Sequence, residues 1–168
     1  MSFCIVDIST ILVSTSCYMT VDTPTQTVLY TLEQAIKAYR KLCQHNLDAV
    51  ADDLTVDQAL TLIVLEKYPA LSQQQIAELV FKDKASITRI IELLTQKGLL
   101  TRDIHPQDRR KFALSITTQG KHILAHLADT IALNQQTALA GLADEEIRQF
   151  HQTLQKIIAN CLVPPACA

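Results

Sequence analysis

The sequence predicts a mainly α fold with a small β-hairpin, and three observations carry that reading. Apolar residues recur at helical spacing through most of the chain. Good N-cap residues stand at the head of successive segments. Only between Leu99 and Ile116 does the pattern change, to two short extended runs around a proline. Composition agrees. With 168 residues, 48% hydrophobic, 3 glycines and no tryptophan, the chain can build a core and is poor in the turn formers that a sandwich needs. Its length fits one domain, or one subunit of an obligate dimer.

Taken in order, the first long helix is expected to open at Thr23-Pro24, with proline at its first position and Gln26 at capping-box spacing. Val28, Leu32, Ala35, Tyr39, Leu42, Leu47 and Val50 keep its apolar period to about Ala51. Thr55 caps a second helix, with Gln58 three residues on, that ends near Pro69. Ala59, Leu60, Ile63 and Val64 are its expected buried side, and Glu66–Lys67 its wet edge. Ser72 and Gln75 form another capping box, for a short helix from Gln73 to about Val80. Asp83 caps the next, where Ile87, Ile90, Ile91 and Leu94 make one apolar stripe. The opposite face carries Lys84, Ser86, Thr88, Arg89, Glu92 and Gln96, and Gly98 stands where a terminating glycine belongs.

Two strands follow, Leu99–Asp103 and Lys111–Ile116, with Ile104–Arg110 as the hairpin and Pro106 as a turn former. Thr117 then caps a long helix from Thr118 to about Ala140, stopped by Gly141. The last helix begins near Asp144, where Asp144, Glu145 and Glu146 complement its dipole. Ile147, Phe150, Leu154, Ile157 and Cys161 are spaced 3-4-3-4, a heptad seam that the chain does not obviously cover, and Pro164-Pro165 ends it.

Helix, tight turn, amphipathic helix and basic hairpin in that order read as a winged helix-turn-helix, an arrangement whose destination is a DNA groove. Charge supports this. Between Lys82 and Lys111 eight basic side chains face four acidic ones, a local excess of +4 in a chain of net charge −2. Such concentration marks a phosphate footprint rather than a general polyanion binder. The candidate DNA contacts are Ser72 and Gln73 on the short helix and Lys84, Ala85, Ser86, Thr88 and Arg89 on the next. Arg102, Asp108, Arg109, Arg110 and Lys111 complete the set from the hairpin. Arg89 has the fork for a guanine edge. Arg110, steadied by Asp108, suits a narrow minor groove. The alternative is a winged helix used for protein contact, whose hairpin should show exposed aromatics. Phe112 is its only candidate, and alternation with Leu114 and Ile116 places it on the core side.

The run QQIAELVFKDKASITRIIELLTQKGLLTRDIHPQDRRKFALSITTQG resembles the MarR family, the multiple-antibiotic-resistance-type regulators. The likeness includes K-G-L-hydrophobic-x-R at Lys97 to Arg102, Asp-x-Arg at Asp108 and Arg110, T-x-x-G at Thr117 to Gly120, and L-T-x-x-Q at Leu54 to Gln58. It covers roughly Val28 to Asn160. The resemblance implies a homodimer whose N- and C-terminal helices interlock, here through Ile147, Phe150, Leu154 and Ile157. It also implies double-stranded DNA as partner, most often repression, and release by a small aromatic effector. Tyr39, Leu42 and Cys43 are the candidate effector pocket.

Three regions are therefore expected: a 1–27 extension, a helical dimerisation region from 28–54 with 118–162, and a DNA-binding winged unit at 55–117. The extension has no counterpart in the family pattern, and its β-branched stretch 3–19 carries Asp7 as its one charge. It is left open between a disordered or misassigned leader, with Met19 as a candidate start, and a strand or an arm packed on the dimer. It lacks a signal peptide's basic region. His122 and His126 stand at i, i+4, but a zinc site needs further ligands. Cys43 and His45 are available, yet the positions where zinc-sensing relatives carry a carboxylate and histidine are here Ala59 and Leu60. Neither metal nor cofactor is expected. Cys43 reads as a small buried hydrophobe rather than a peroxide sensor, relatives of that kind placing the cysteine nearer the helix start. Five irregularly spaced cysteines without CxxC favour a reducing, cytoplasmic setting. No apolar run approaches bilayer length, and no phosphate loop, nucleophile elbow or H-E-x-x-H motif suggests an enzyme.

Overall fold

The structure, a computed structural model, describes residue 25 and residues 27–105 and 108–162, with the side chains of 104–112 outside that description. The 1–24 stretch of the expected extension, Pro106 and Pro164-Pro165 lie outside the described residues. Element order is α1 (Val28–Asp48), α2 (Val56–Lys67), α3 (Gln73–Leu79), α4 (Lys84–Gln96), β1 (Leu100–His105), β2 (Asp108–Ile116), α5 (Thr118–Ala138) and α6 (Asp144–Leu162). The chain forms two compact units, residues 1–40 and 41–168.

In the first unit, the Thr27 hydroxyl accepts from Tyr30 N–H at 3.1 Å at the head of α1. The expected opening at Thr23-Pro24 lies outside the described residues. Glu33 and Lys37 pair at 2.7 Å one turn apart, which holds Glu33 below and Lys37 above their usual ranges. Val28, Leu29 and Ile36 are exposed.

The second unit holds the core. α2 lies at its centre, packed against α3, α4, α5 and β2. Leu62, Ile76, Ile87, Ile91, Leu94 and Leu100 are fully buried there. The stripe on α4 is therefore the core face it was read to be, with Ile90 at its margin. For α2 the expected face is shifted. Thr61, Leu62 and Leu65 are buried while Ile63 is half-buried. Neighbours on several sides leave such a helix without one dry side, so periodicity cannot orient it. Thr61 satisfies its hydroxyl on Asp57 O at 2.8 Å.

Local chemistry sets the ends. Thr55 with Gln58 and Ser72 with Gln75 each form a reciprocal capping box. Thr117 accepts from Gly120 N–H at 3.0 Å and donates to Gly98 O at 2.7 Å, joining the start of α5 to the end of α4. Gly98, at φ +71°, donates to Thr95 O and Leu99 N–H donates to Leu94 O, a Schellman ending.

β1 and β2 pair antiparallel from Leu100↔Ile116 through Arg102↔Leu114 to Ile104↔Phe112. After an irregularity, His105 pairs with Asp108. This corrects the expected loop. Ile104, His105, Asp108, Arg109 and Arg110 belong to strands, and only 106 and 107 lie between them. Polar residues there lack alternation, yet backbone pairing resumes at His105↔Asp108.

α6 differs from the other helices of this unit. None of its residues is buried, and among the described residues it packs extensively on no other element. Ile147, Leu154 and Ile157 are half-buried and Phe150 is exposed, so the described residues leave the seam largely uncovered.

Candidate nucleic-acid interface

α3, a four-residue turn and α4 make the helix-turn-helix, with the hairpin beside them. Asp83 starts α4 by accepting from Ser86 N–H at 2.7 Å and from the Ser86 hydroxyl at 2.9 Å. Those bonds hold the Asp83 carboxyl below its usual range. The folded state thus binds this proton less tightly than the unfolded state does. The cap contributes fully above the ordinary aspartate range and is lost as pH falls through the lowered folded value. Asp83→Ala is expected to lower the melting temperature near neutrality and to converge with wild type in acid. Melting curves across pH 7 to 3 check it, and a difference that persisted at low pH would overturn it.

Lys84, Ala85 and Arg89 are exposed along the first two turns of α4. Ser86 is half-buried and tied to its cap. Thr88 donates to Lys84 O at 2.9 Å, with its hydroxyl 3.4 Å from Gln73 Oε1, which sets the start of α3 beside the second turn of α4. Ser72 is exposed but engaged in its capping box. Lys84, Ala85 and Arg89 thus form the open edge, while Ser86, Thr88 and Ser72 are held in place by hydrogen bonds within the motif.

Not every cation counted in the sequence is available to phosphate. Lys82 pairs with Asp57 on α2 at 2.8 Å. Lys97 reaches Gln58 Oε1 at 3.1 Å, the Asp53 carboxylate at 3.3 Å and the Asp53 carbonyl. Both lysines fasten the motif to the α1–α2 loop and α2. Pairs across elements leave no mark in a running charge count, which is why the sequence overstated the footprint. Arg102 alternates onto the hairpin side shared with Leu100, Leu114 and Ile116, is half-buried, and keeps its Nε away from solvent. The backbones of Asp108, Arg109, Arg110 and Lys111 lie in β2, the last three at the register irregularity. Their side chains lie outside the described residues, as does that of Phe112.

Sequence reasoning passed over Phe81, which has φ +56° and lies 93% exposed in the turn. The available signal was a bulky residue where a helix end ordinarily takes glycine.

Of the candidate effector residues, Tyr39 is exposed and belongs to the first unit, while Leu42 and Cys43 are half-buried and belong to the second. His122 and His126 are exposed, with ring centroids 4.5 Å apart and His126 Nδ1 on His122 O at 2.8 Å. Among the described residues no group of three or more His, Cys, Asp or Glu is placed to hold a metal ion. Among the same residues no helix is long and apolar enough to cross a membrane.

Residues 54–112 match the model of the MarR family. A putative transcriptional regulatory protein for the hcr operon of Thauera aromatica is 35% identical over 85 residues, 51% of this chain and 51% of that protein. The chain's match thus spans about half the length of that curated relative. The PcaV transcriptional regulator of Streptomyces coelicolor, solved with its natural ligand, is 26% identical, with 80% of this chain and 94% of that one covered and a TM-score of 0.69. The MepR–DNA complex of S. aureus is 21% identical, with 83% and 99% covered and a TM-score of 0.72, a likeness of fold alone. The fold is that of a winged helix-turn-helix protein. Within it, residues 54–112 carry the match to the MarR family.

Proposed function

We propose that the protein is a sequence-specific DNA-binding transcriptional regulator. It acts as a homodimer on a pseudo-palindromic operator, works in the cytoplasm as a repressor, and is released by a small effector. The observation that carries this reading is the open edge of α4. Lys84, Ala85 and Arg89 are exposed on the first two turns of a helix whose other side, Ile87, Ile91 and Leu94, is sealed in the core. Such a helix is rigidly held and presents its N-terminal half outward, as a recognition helix must. The uncovered seam on α6 supports a second copy, which would set two recognition helices about one helical turn apart. The small effector is supported by a relative solved with its natural ligand.

Arg89→Ala tests the reading. With the fork lost from the groove, operator affinity is expected to fall by roughly 1–3 kcal/mol while binding to unrelated duplex is largely kept. Arg110→Ala should weaken both and reduce the salt slope by about one, as for a phosphate-facing cation. Asp108→Ala should do so more mildly. Titrations of both duplexes across a salt series measure this. An Arg89→Ala protein with an unchanged specificity ratio would refute the assignment of α4.

A further inference from the structure

The turn between α3 and α4 carries an aromatic side chain that the fold does not use. Phe81 follows the α3 C-cap Val80 in a left-handed conformation, φ +56°, which bulky residues rarely adopt. Its N–H donates to Glu78 O at 3.3 Å, and Lys82 N–H donates to Ala77 O at 2.9 Å. That closure is ordinarily built on glycine. The core gives the ring nothing in return, since Phe81 is 93% exposed, more than any other large hydrophobic among the described residues. Nor is the turn loose. Lys82 is pinned to Asp57 at 2.8 Å, and Asp83 caps α4 through Ser86. A rigid turn therefore projects a phenyl ring two residues ahead of the α4 cap, within a few residues of exposed Lys84 and Ala85.

We propose that Phe81 is a DNA contact. Its ring packs on an apolar group at the rim of the major groove that α4 enters, either a thymine C5-methyl or a deoxyribose face. The inference rests on the DNA-binding reading above. Phenylalanine is among the side chains that meet the thymine methyl, the apolar feature that the major groove presents. The ring's surroundings favour this partner over a protein. Val80 beside it is buried, and apart from half-exposed Leu79 the remaining residues from 78 to 84 are Glu78, Lys82, Asp83 and Lys84, so this stretch offers little apolar surface besides the ring. A protein-docking surface needs a contiguous apolar patch.

The test uses the full chain and a duplex that the wild-type protein selects from a randomised pool. Phe81→Gly and Phe81→Asn both suit a positive φ, so each should melt at or above the wild-type temperature while binding the duplex about tenfold more weakly. Phe81→Leu, which keeps apolar bulk, should recover most of the affinity. Deoxyuridine replacing each thymine in turn identifies the source. One position whose change weakens wild type but not Phe81→Gly assigns the methyl, and a flat scan with Phe81→Gly still weak assigns deoxyribose. If Phe81→Gly and Phe81→Asn bind like wild type, the ring does not contact the duplex and the inference falls. It falls equally if both variants melt well below wild type, since the residue is then structural. Failure of the wild-type chain to select any duplex would instead remove the DNA-binding reading itself.

Discussion

Gly120→Ala is expected to destabilise the second unit by about 2–3 kcal/mol, at the upper end of what overpacking ordinarily costs. On propensity alone the sign would be opposite. Gly120 sits in the first turn of α5, where alanine is the better helix former by roughly 1 kcal/mol. Geometry decides against it. A Cβ at this position would lie 2.4 Å from Leu99 O and 2.7 Å from Ile116 Cγ2. Leu99 O cannot yield easily, because it accepts Thr117 N–H at 3.1 Å in a buried residue at the α4–β1 junction. Relief would mean moving α5 away from the hairpin, with loss of the Thr117 bonds to Gly98 and Gly120. Gly141 is the control. It has φ +85° but nothing within 4 Å of an added Cβ, so Gly141→Ala should show only backbone strain, on the order of 1 kcal/mol. Urea unfolding of both variants measures the difference. Equal stabilities, or a stabilised Gly120→Ala, would show that α5 can shift freely.

The fold was legible where local chemistry and periodicity agree. Capping boxes at Thr55 and Ser72, the Asp83 cap, the α4 stripe and the Gly98 ending are contacts within a few residues, so spacing alone reveals them. What stayed hidden depends on partners distant in sequence. The burial of α2 on several sides follows from four neighbours, none of which its own pattern encodes. The roles of Lys82 and Lys97 depend on Asp57 and on Asp53 and Gln58, 25 and 39–44 residues away. Hairpin length was misjudged because backbone pairing continues past the last apolar residue. At the candidate interface, residue types were readable on α4. Which of them are open, Lys84, Ala85 and Arg89 rather than Ser86 and Thr88, is set by hydrogen bonds that only coordinates give.

Leu154→Glu combined with Ile157→Glu is expected to abolish the homodimer and operator binding while leaving the winged unit folded. The described residues leave the α6 seam largely uncovered. No residue of α6 is buried in its own chain, so neither substitution removes a side chain from the core around Leu62, Ile76 and Ile91. In a dimer joined through the seam the same positions would meet their counterparts. Four carboxylates would then be taken from water into an apolar contact, at several kcal/mol. Neutralising them by protonation has its own cost near pH 7. Circular dichroism and the melting transition should change little, whereas light scattering should report a monomer. Operator affinity should fall by orders of magnitude, because two recognition helices that engage half-sites as a unit would lose their shared effective concentration. Gln152→Glu, exposed and off the seam, adds charge to the same helix and should remain dimeric. A double variant that stays a tight dimer would place the subunit contact elsewhere. One that becomes monomeric yet binds the operator at wild-type affinity would show that a single winged unit suffices for recognition.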